Sequence, residues 1–343
     1  MAKNSGRTLS ATRDRSFKSL FFRWETLLII LFLAVNIMNI SISSNYLKIN
    51  NLLTAINTFL VKGFIAFPMA YILVLGEIDI SVGSIVALSA TVLGYTFNAG
   101  LPMPVAILLG LLTGLLCGAL NGLILTKFTE LAPMIVTLGT QTLYRGFAQM
   151  ILEDQSASKL HESKFFYNIY YGKLFGIPYI LIVFFVLALI FGLVLHKTTY
   201  GRYLYAIGSN RRAAFYSGVP VQKVRFIAYT VMGLVCGIAA VYYASWMGTI
   251  RSDIAVGYEL EAVSMVVLGG ISAAGGTGNF PGTVIAIFTV GLLKYGLGVI
   301  NVNSQTILMI LGIILIVVVM IPNFRFGRLS PVRRINRKSQ KTR

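Results

Sequence analysis

KTTYGRYLYAIGSNRRAAFYSGVPVQKVR, residues 197–225, is the one long polar and positively charged segment set between extended apolar runs. It carries Lys197, Arg202, Arg211, Arg212, Lys223 and Arg225 and no acid. An excess of Lys and Arg marks a loop of a membrane protein as cytoplasmic, so the segment is expected to join two spans on that side. Ser209 and Asn210 are good N-cap residues, and Gly218 and Pro220 are stop signals. A helix of about two turns is therefore predicted over 211–217, with Gly208 breaking the run before it. On charge alone, the loop could equally do no more than fix topology.

The composition places this loop in a membrane protein. Of 343 residues, 56% are hydrophobic and only 12% charged, and the mean hydropathy is +0.79. Soluble domains are about 25% charged, which excludes an ordinary globular fold. The net charge of +18 does not indicate a nucleic-acid partner, because the basic residues cluster in the flanks of apolar runs. Apolar runs lie at 24–40, 53–75, 80–97, 104–126, 133–152, 178–195, 226–247, 262–271, 281–300 and 306–321. They predict an all-α polytopic membrane protein of about ten spans. The run 262–271 is about half the roughly 20 residues a crossing needs, so that helix must be broken or half-length. The first run lacks a small-residue cleavage site and is read as an uncleaved helix.

The expected organisation is a basic cytoplasmic N-tail over 1–23, a transmembrane domain over 24–322 containing the loop 197–225, and a basic cytoplasmic C-tail over 323–343. In that arrangement both tails, Lys127 and the central loop hold most of the basic residues on one side. Lys48, Lys159, Lys164, Lys173 and Arg251 fall on the other, while Lys62, Arg145 and Lys294 fall inside spans.

Several local patterns stand out. Gly110, Gly114, Gly118 and Gly122 recur every four residues, forming one ridge on which another helix can pack closely, within the chain or in a second subunit. LGEIDISVGS, 75–84, sets Glu77 and Asp79 between apolar runs, flanked by Gly76 and Gly83. Acids at membrane depth face a cavity, a partner charge or the interface, although a short cytoplasmic turn would also hold them. GYELEAVSMVVLGGISAAGGTGNFPGT, 257–283, reads as a short helix ending at Gly269 and Gly270, followed by a glycine-rich turn. Such interruptions are tolerated where protein or a water-filled cavity surrounds them. No Lys-Ser/Thr follows the glycines, so this is no P-loop. Cys117 and Cys236 lie inside apolar runs as packing residues, and His161 and His196 are isolated, so no catalytic or metal-ligating set is expected. GLLCG at 114–118 and GLVCG at 233–237 hint at an inverted repeat.

Three of these blocks resemble the permease subunits of ribose-type ABC importers. YGRYLYAIGSNRRAAFYSGV is similar to that family's GRYxYAxGxNxxAAxxSGI, with Gly208, Asn210, Ala213, Ala214, Ser217 and Gly218 matching. LGEIDISVGS is similar to its GGIDLSVG, with Asp79, Ser81 and Gly83 matching and Glu77 replacing a glycine. The third block follows GxELxAIAAVVLGGxSxxGGxGxxxGT. GEIDISVGS, SGVPV and MGTIRSDIAVG resemble the rhamnose and autoinducer-2 branches in particular.

The resemblance implies a permease of the bacterial cytoplasmic (inner) membrane, multi-pass and with both termini inside, moving a sugar-like small molecule by ATP-driven alternating access. It implies separate ABC ATPase subunits that hold the ATP, an extracytoplasmic solute-binding protein, and a second permease copy or paralogue, with no cofactor on this chain. The matched residues of the central loop would couple to the ATPase. Glu77, Asp79, Ser81, Gly83, Gly269 and Gly270 would mark the signature or pathway. Glu259 and Glu261 are expected at the outer mouth of the half-length helix, where the binding protein lands. An ion-coupled secondary transporter using Glu77, Asp79 and Glu261 is the other reading. A membrane transferase would need paired acidic metal motifs, which the sequence lacks.

Overall fold

The computed structural model describes residues 24–43, 46–153 and 155–323; the expected N-tail and all but Asn323 of the expected C-tail lie outside them. Among the described residues the chain is all-α but for one short hairpin of two-residue strands. The helices are α1 (Trp24–Ile42), α2 (Ile49–Val74), α3 (Val82–Asn98), α4 (Met103–Lys127), α5 (Pro133–Leu152), α6 (Lys164–Tyr171) and α7 (Tyr179–Lys197). They continue as α8 (Thr199–Ser209), α9 (Arg211–Tyr216), α10 (Val221–Met247), α11 (Tyr258–Leu268), α12 (Phe280–Val299) and α13 (Ser304–Asn323). Each of the ten apolar runs lies on one of these helices. Five of them, α2, α4, α7, α10 and α12, are long and apolar enough to cross a membrane, and α1, α3 and α13 contribute shorter apolar stretches.

Burial sorts the bundle into a centre and a rim. The most apolar windows of α2 and α10 are 78% and 67% buried, whereas those of α4 and α7 are 33% and 28%. The first pair forms the middle, and the second turns most of its surface outward to a solvent as apolar as itself.

The expected glycine ridge faces inward along the chain's own core. Gly114 and Gly118 of α4 meet Gly233 and Gly237 of α10 so closely that a Cβ at Gly118 would collide with the Tyr229 carbonyl and the Gly233 backbone. Gly122 rests on Phe226, while Gly110 packs against Ser89 and Leu93 of α3. GLLCG and GLVCG are thus the two halves of one antiparallel crossing. In an apolar solvent such close approach substitutes dispersion contact for the hydrophobic effect.

The two ends of the bundle differ. At one end lie the α8–α9 segment and the turns after α2 and α11. At the other, α6 is capped by Ser163, whose hydroxyl accepts from the Phe166 amide, and a hairpin pairs Lys173–Leu174 with Ile177–Pro178. Its turn residues Phe175 and Gly176 both have positive φ, the twist a two-residue hairpin requires. Ala157 and Ile250 exchange both backbone hydrogen bonds at this end.

Candidate functional site

The three motif blocks converge at the basic end. α2 and α11 finish in the same way, with Gly76 and Gly270 at positive φ, Glu77 N–H donating to the Ile72 carbonyl and Ile271 N–H to Val266. This termination needs a residue without Cβ just past the cap, which explains the two glycines. The turn that follows α11 then wedges between the other two blocks. Gly275 abuts Gly76, Gly276 abuts Gly208 and Ser209, and the Gly276 amide donates to the Val74 carbonyl at 2.8 Å. α8 runs through Gly208, contrary to the expected break there. The glycine is needed because a Cβ would collide with the Val74 carbonyl.

Upon this platform sits α9. Asn210 is its N-cap, its Oδ1 accepting from the Ala213 amide at 3.0 Å, and Gly218 ends it at φ 81°. Ala213, Phe215, Tyr216 and Ser217 point outward, Phe215 at 63% and Tyr216 at 86% exposure. Ala214, one of the matched loop residues expected to couple to the ATPase, is only 5% exposed and anchors the helix to its own chain. Beside α9, a cleft of about 530 Å³ is lined by Thr129, Arg211, Arg212, Phe215 and Tyr216 among others. It presents two guanidinium side chains and two aromatic rings and no carboxylate, a surface suited to an acidic, aromatic-binding protein groove.

Behind α9, the two acids of the 75–84 block have different surroundings. Glu77 forms an ion pair with Arg225 of α10 at 2.7 Å and accepts from the Tyr229 hydroxyl at 3.0 Å. Arg225 is fully buried and also donates to the Leu125 carbonyl of α4. Asp79 accepts from both the amide and the hydroxyl of Ser81, and the Ser81 hydroxyl accepts from Asn121. Asn121 in turn accepts from Tyr144 of α5. Asp79 Oδ2 has no hydrogen-bond partner. These acids tie α3, α4, α5 and α10 together beneath the platform. Tyr229, Asn121 and Tyr144 were not singled out from sequence, since a lone polar residue in a long apolar run gives no hint of what it faces, and Arg225, read there only as a basic residue of the central loop, is instead buried.

Two expectations are corrected at the half-length helix. At about 16 Å, α11 spans only half of a hydrocarbon core. Its first turn lies beside the midpoint of α2, not at an outer mouth. Glu261 pairs there with Lys62 at 3.0 Å and with Lys294 of α12 at 2.6 Å, and is 4% exposed. Glu259 is 9% exposed and approaches Gly83, which also meets the Ala255 carbonyl. Neither carboxylate therefore lies on a surface of this chain where a soluble protein could land. Gly269 and Gly270 are likewise packing positions: a Cβ at Gly269 would strike the Thr283 backbone of α12, and one at Gly270 the Trp24 ring of α1. The segment leading into α11 is held by Arg145 of α5, which donates to the Ser252 and Ile254 carbonyls at 2.7 and 2.6 Å.

Cys117 and Cys236 are free and buried. His161 donates to the Ser245 carbonyl and His196 accepts from the Phe280 amide. Among the described residues no group of three or more His, Cys, Asp or Glu side chains could hold a metal ion.

Residues 51–319 match the family described as branched-chain amino acid transport system / permease component. The chain is 38% identical over 304 residues to the autoinducer 2 import system permease protein LsrD of Escherichia coli strain K12. It matches the LsrD proteins of E. coli O9:H4 strain HS and of Shigella flexneri to the same extent, covering 87% of this chain and 91% of each relative. No solved structure matches. A multi-pass helical bundle whose three motif blocks close on one another, matched along nearly its whole length to these permeases, belongs to the permease family of ABC importers.

Proposed function

We propose that the chain is the permease through which an ABC importer of the autoinducer-2 or rhamnose type moves a sugar-like small molecule into the cell. The observation that carries this reading is α9, a capped helix with exposed Phe215 and Tyr216 beside a basic cleft, seated on the junction of the three motif blocks. A force on α9 reaches α2 through Gly208 and Val74 and reaches α11 and α12 through Gly276, because these contacts are backbone on backbone and cannot yield.

In this reading the ATPase subunits dock on α9 and hydrolyse the ATP. Their closure tilts the platform, and the helices attached to it expose the pathway alternately to the two sides. A second permease, identical or paralogous, completes the pathway. The solute-binding protein delivers its cargo at the α6 end and, holding it tightly, sets most of the specificity. In this reading the basic end is cytoplasmic and both termini lie on that side of the cytoplasmic membrane, an orientation that the distribution of Lys and Arg supports.

The substrate assignment is tested in the native host. Deleting the chain should stop removal of autoinducer-2 or of a monosaccharide from the medium. Re-expression should restore it, and a Tyr216→Asp chain that reaches the membrane should not. Unchanged uptake of both solute types after deletion would contradict the assignment. Orientation is tested with single cysteines at Phe175 and Tyr216, 97% and 86% exposed, in a chain lacking Cys117 and Cys236. An impermeant thiol reagent should reach Phe175→Cys from outside intact cells and Tyr216→Cys only after lysis. The reverse pattern would invert the topology.

A further inference from the structure

Lys62, Glu261 and Lys294 form a charged cluster at the middle of α2, with an excess of one positive charge. Both ammonium groups meet the same oxygen, Glu261 Oε1, and the other, Oε2, is buried without a hydrogen-bond partner. The carboxylate is enclosed at 5% side-chain exposure, while Lys62 and Lys294 remain 19% and 22% exposed. An ammonium has three N–H donors, so each lysine keeps donors that Glu261 does not use. Charged groups at this depth face a cavity, a pathway or a partner, because hydrocarbon cannot solvate them. The lysines thus mark the side of the bundle that lipid does not cover.

The surroundings also fit a solute rich in hydroxyl groups. Lys62 lies over the Tyr258 ring, 4.7 Å from its centre. From Tyr258 a series of ring contacts runs through Tyr243, Trp246 and Tyr170 to Tyr171, which is exposed at the α6 end. Tyr258, Tyr243 and Tyr170 are themselves buried, so this series forms a rigid wall behind the cluster, and it is the ammonium groups that keep donors for the oxygens of a solute.

We propose that Lys62 and Lys294, held by Glu261, form a polar station half-way along the pathway, where hydroxyl or hydrated-carbonyl oxygens of the passing solute accept N–H bonds. The shared carboxylate keeps the two lysines at one place and reduces their mutual repulsion, leaving donors but only weak net attraction, so the solute is held briefly and released. This inference rests on the permease reading of the chain.

The test uses Lys294→Cys in a chain carrying Cys117→Ala and Cys236→Ala, since Lys62 still neutralises Glu261 in that variant. In nanodiscs, with or without the other subunits, the new thiol should react with the hydrophilic reagent 2-aminoethyl methanethiosulfonate. A thiol that stays unreactive, while one placed at Phe175 reacts, would overturn the proposal by showing that water does not reach this face. In proteoliposomes with the ATPases and the binding protein, Lys294→Cys should lower uptake by about tenfold, the scale of one lost hydrogen bond from a charged donor. The aminoethyl reagent, which rebuilds an ammonium, should restore it, and the neutral methyl methanethiosulfonate should not. Wild-type uptake by Lys294→Cys, equal restoration by both reagents, or modification without restoration would each overturn the proposal. Failure of the parent chain to support ATP-driven uptake at all would instead refute the permease reading, and the thiol reactivity would still decide whether the cluster faces water.

Discussion

Two ion-paired clusters in this bundle contrast in what surrounds them. Around Glu77, every charge is enclosed: Arg225 is fully buried and donates to the Leu125 carbonyl, the Tyr229 hydroxyl donates to Glu77, and Arg225 Nη2 is left without a hydrogen-bond partner. Around Glu261, the carboxylate is enclosed but its two lysines each retain an open side. The first cluster has one cation for one anion, whereas the second has one cation too many. A closed, neutral cluster is suited to fixing how α2, α4 and α10 join, and an open, unbalanced one to meeting something that comes and goes. The comparison therefore separates residues that hold the fold from residues proposed to meet the solute.

The contrast can be broken most strongly at Arg225. Arg225→Met should destabilise the permease by about 3–5 kcal/mol, because Glu77 would then be a buried charge without a counter-ion. Adding Glu77→Gln should recover much of this loss. Thermal unfolding of the detergent-solubilised chain measures both, and a double variant no better than the single one would show that the pair does not act as a unit.

A middle-sized effect is expected at the glycine crossing. Gly118→Val should cost about 1–3 kcal/mol or more by driving α4 away from Tyr229 and Gly233, where the contact is with backbone that cannot rotate aside. The same assay reads it, and an unchanged midpoint would mean that α4 and α10 do not approach as closely as described.

The smallest stability effect is expected at Lys294. Lys294→Met leaves the Lys62–Glu261 pair intact and removes the repulsion between the two lysines, so Glu261 keeps a counter-ion and the cost should be well below that of Arg225→Met. The loss should appear in transport instead. A shift as large as that of Arg225→Met would place both clusters in the same structural class and erase the comparison.

The sequence carried much of this, but unevenly. The apolar runs fixed where helices form, and the glycine spacing of four residues fixed one face of α4, because period and composition are local properties. Asn210 as a cap, Gly218 as a stop and the short length of α11 were legible for the same reason. Misread were properties that depend on what lies across the bundle. Glu259 and Glu261 look like surface acids at the start of a helix, but Lys62 and Lys294, far away in sequence, draw Glu261 inward. Gly269 looks like room for a solute and is occupied by the α12 backbone. Ala214 looks like a contact for a partner and packs inward, while its neighbours Phe215 and Tyr216 point out, since in so short a helix the buried face depends on what lies beneath it. Lys62, Lys294 and Arg225 were each visible as charges in or beside apolar runs. Pairing them with Glu261 and Glu77 needed the fold.

The most direct measurement is uptake by proteoliposomes containing this chain, its ATPases and its binding protein. The account predicts accumulation of a sugar-like solute that requires ATP on the α9 side and the binding protein on the α6 side, and that continues when ion gradients are collapsed. Accumulation by the chain alone, driven by an ion gradient and indifferent to ATP, would contradict it.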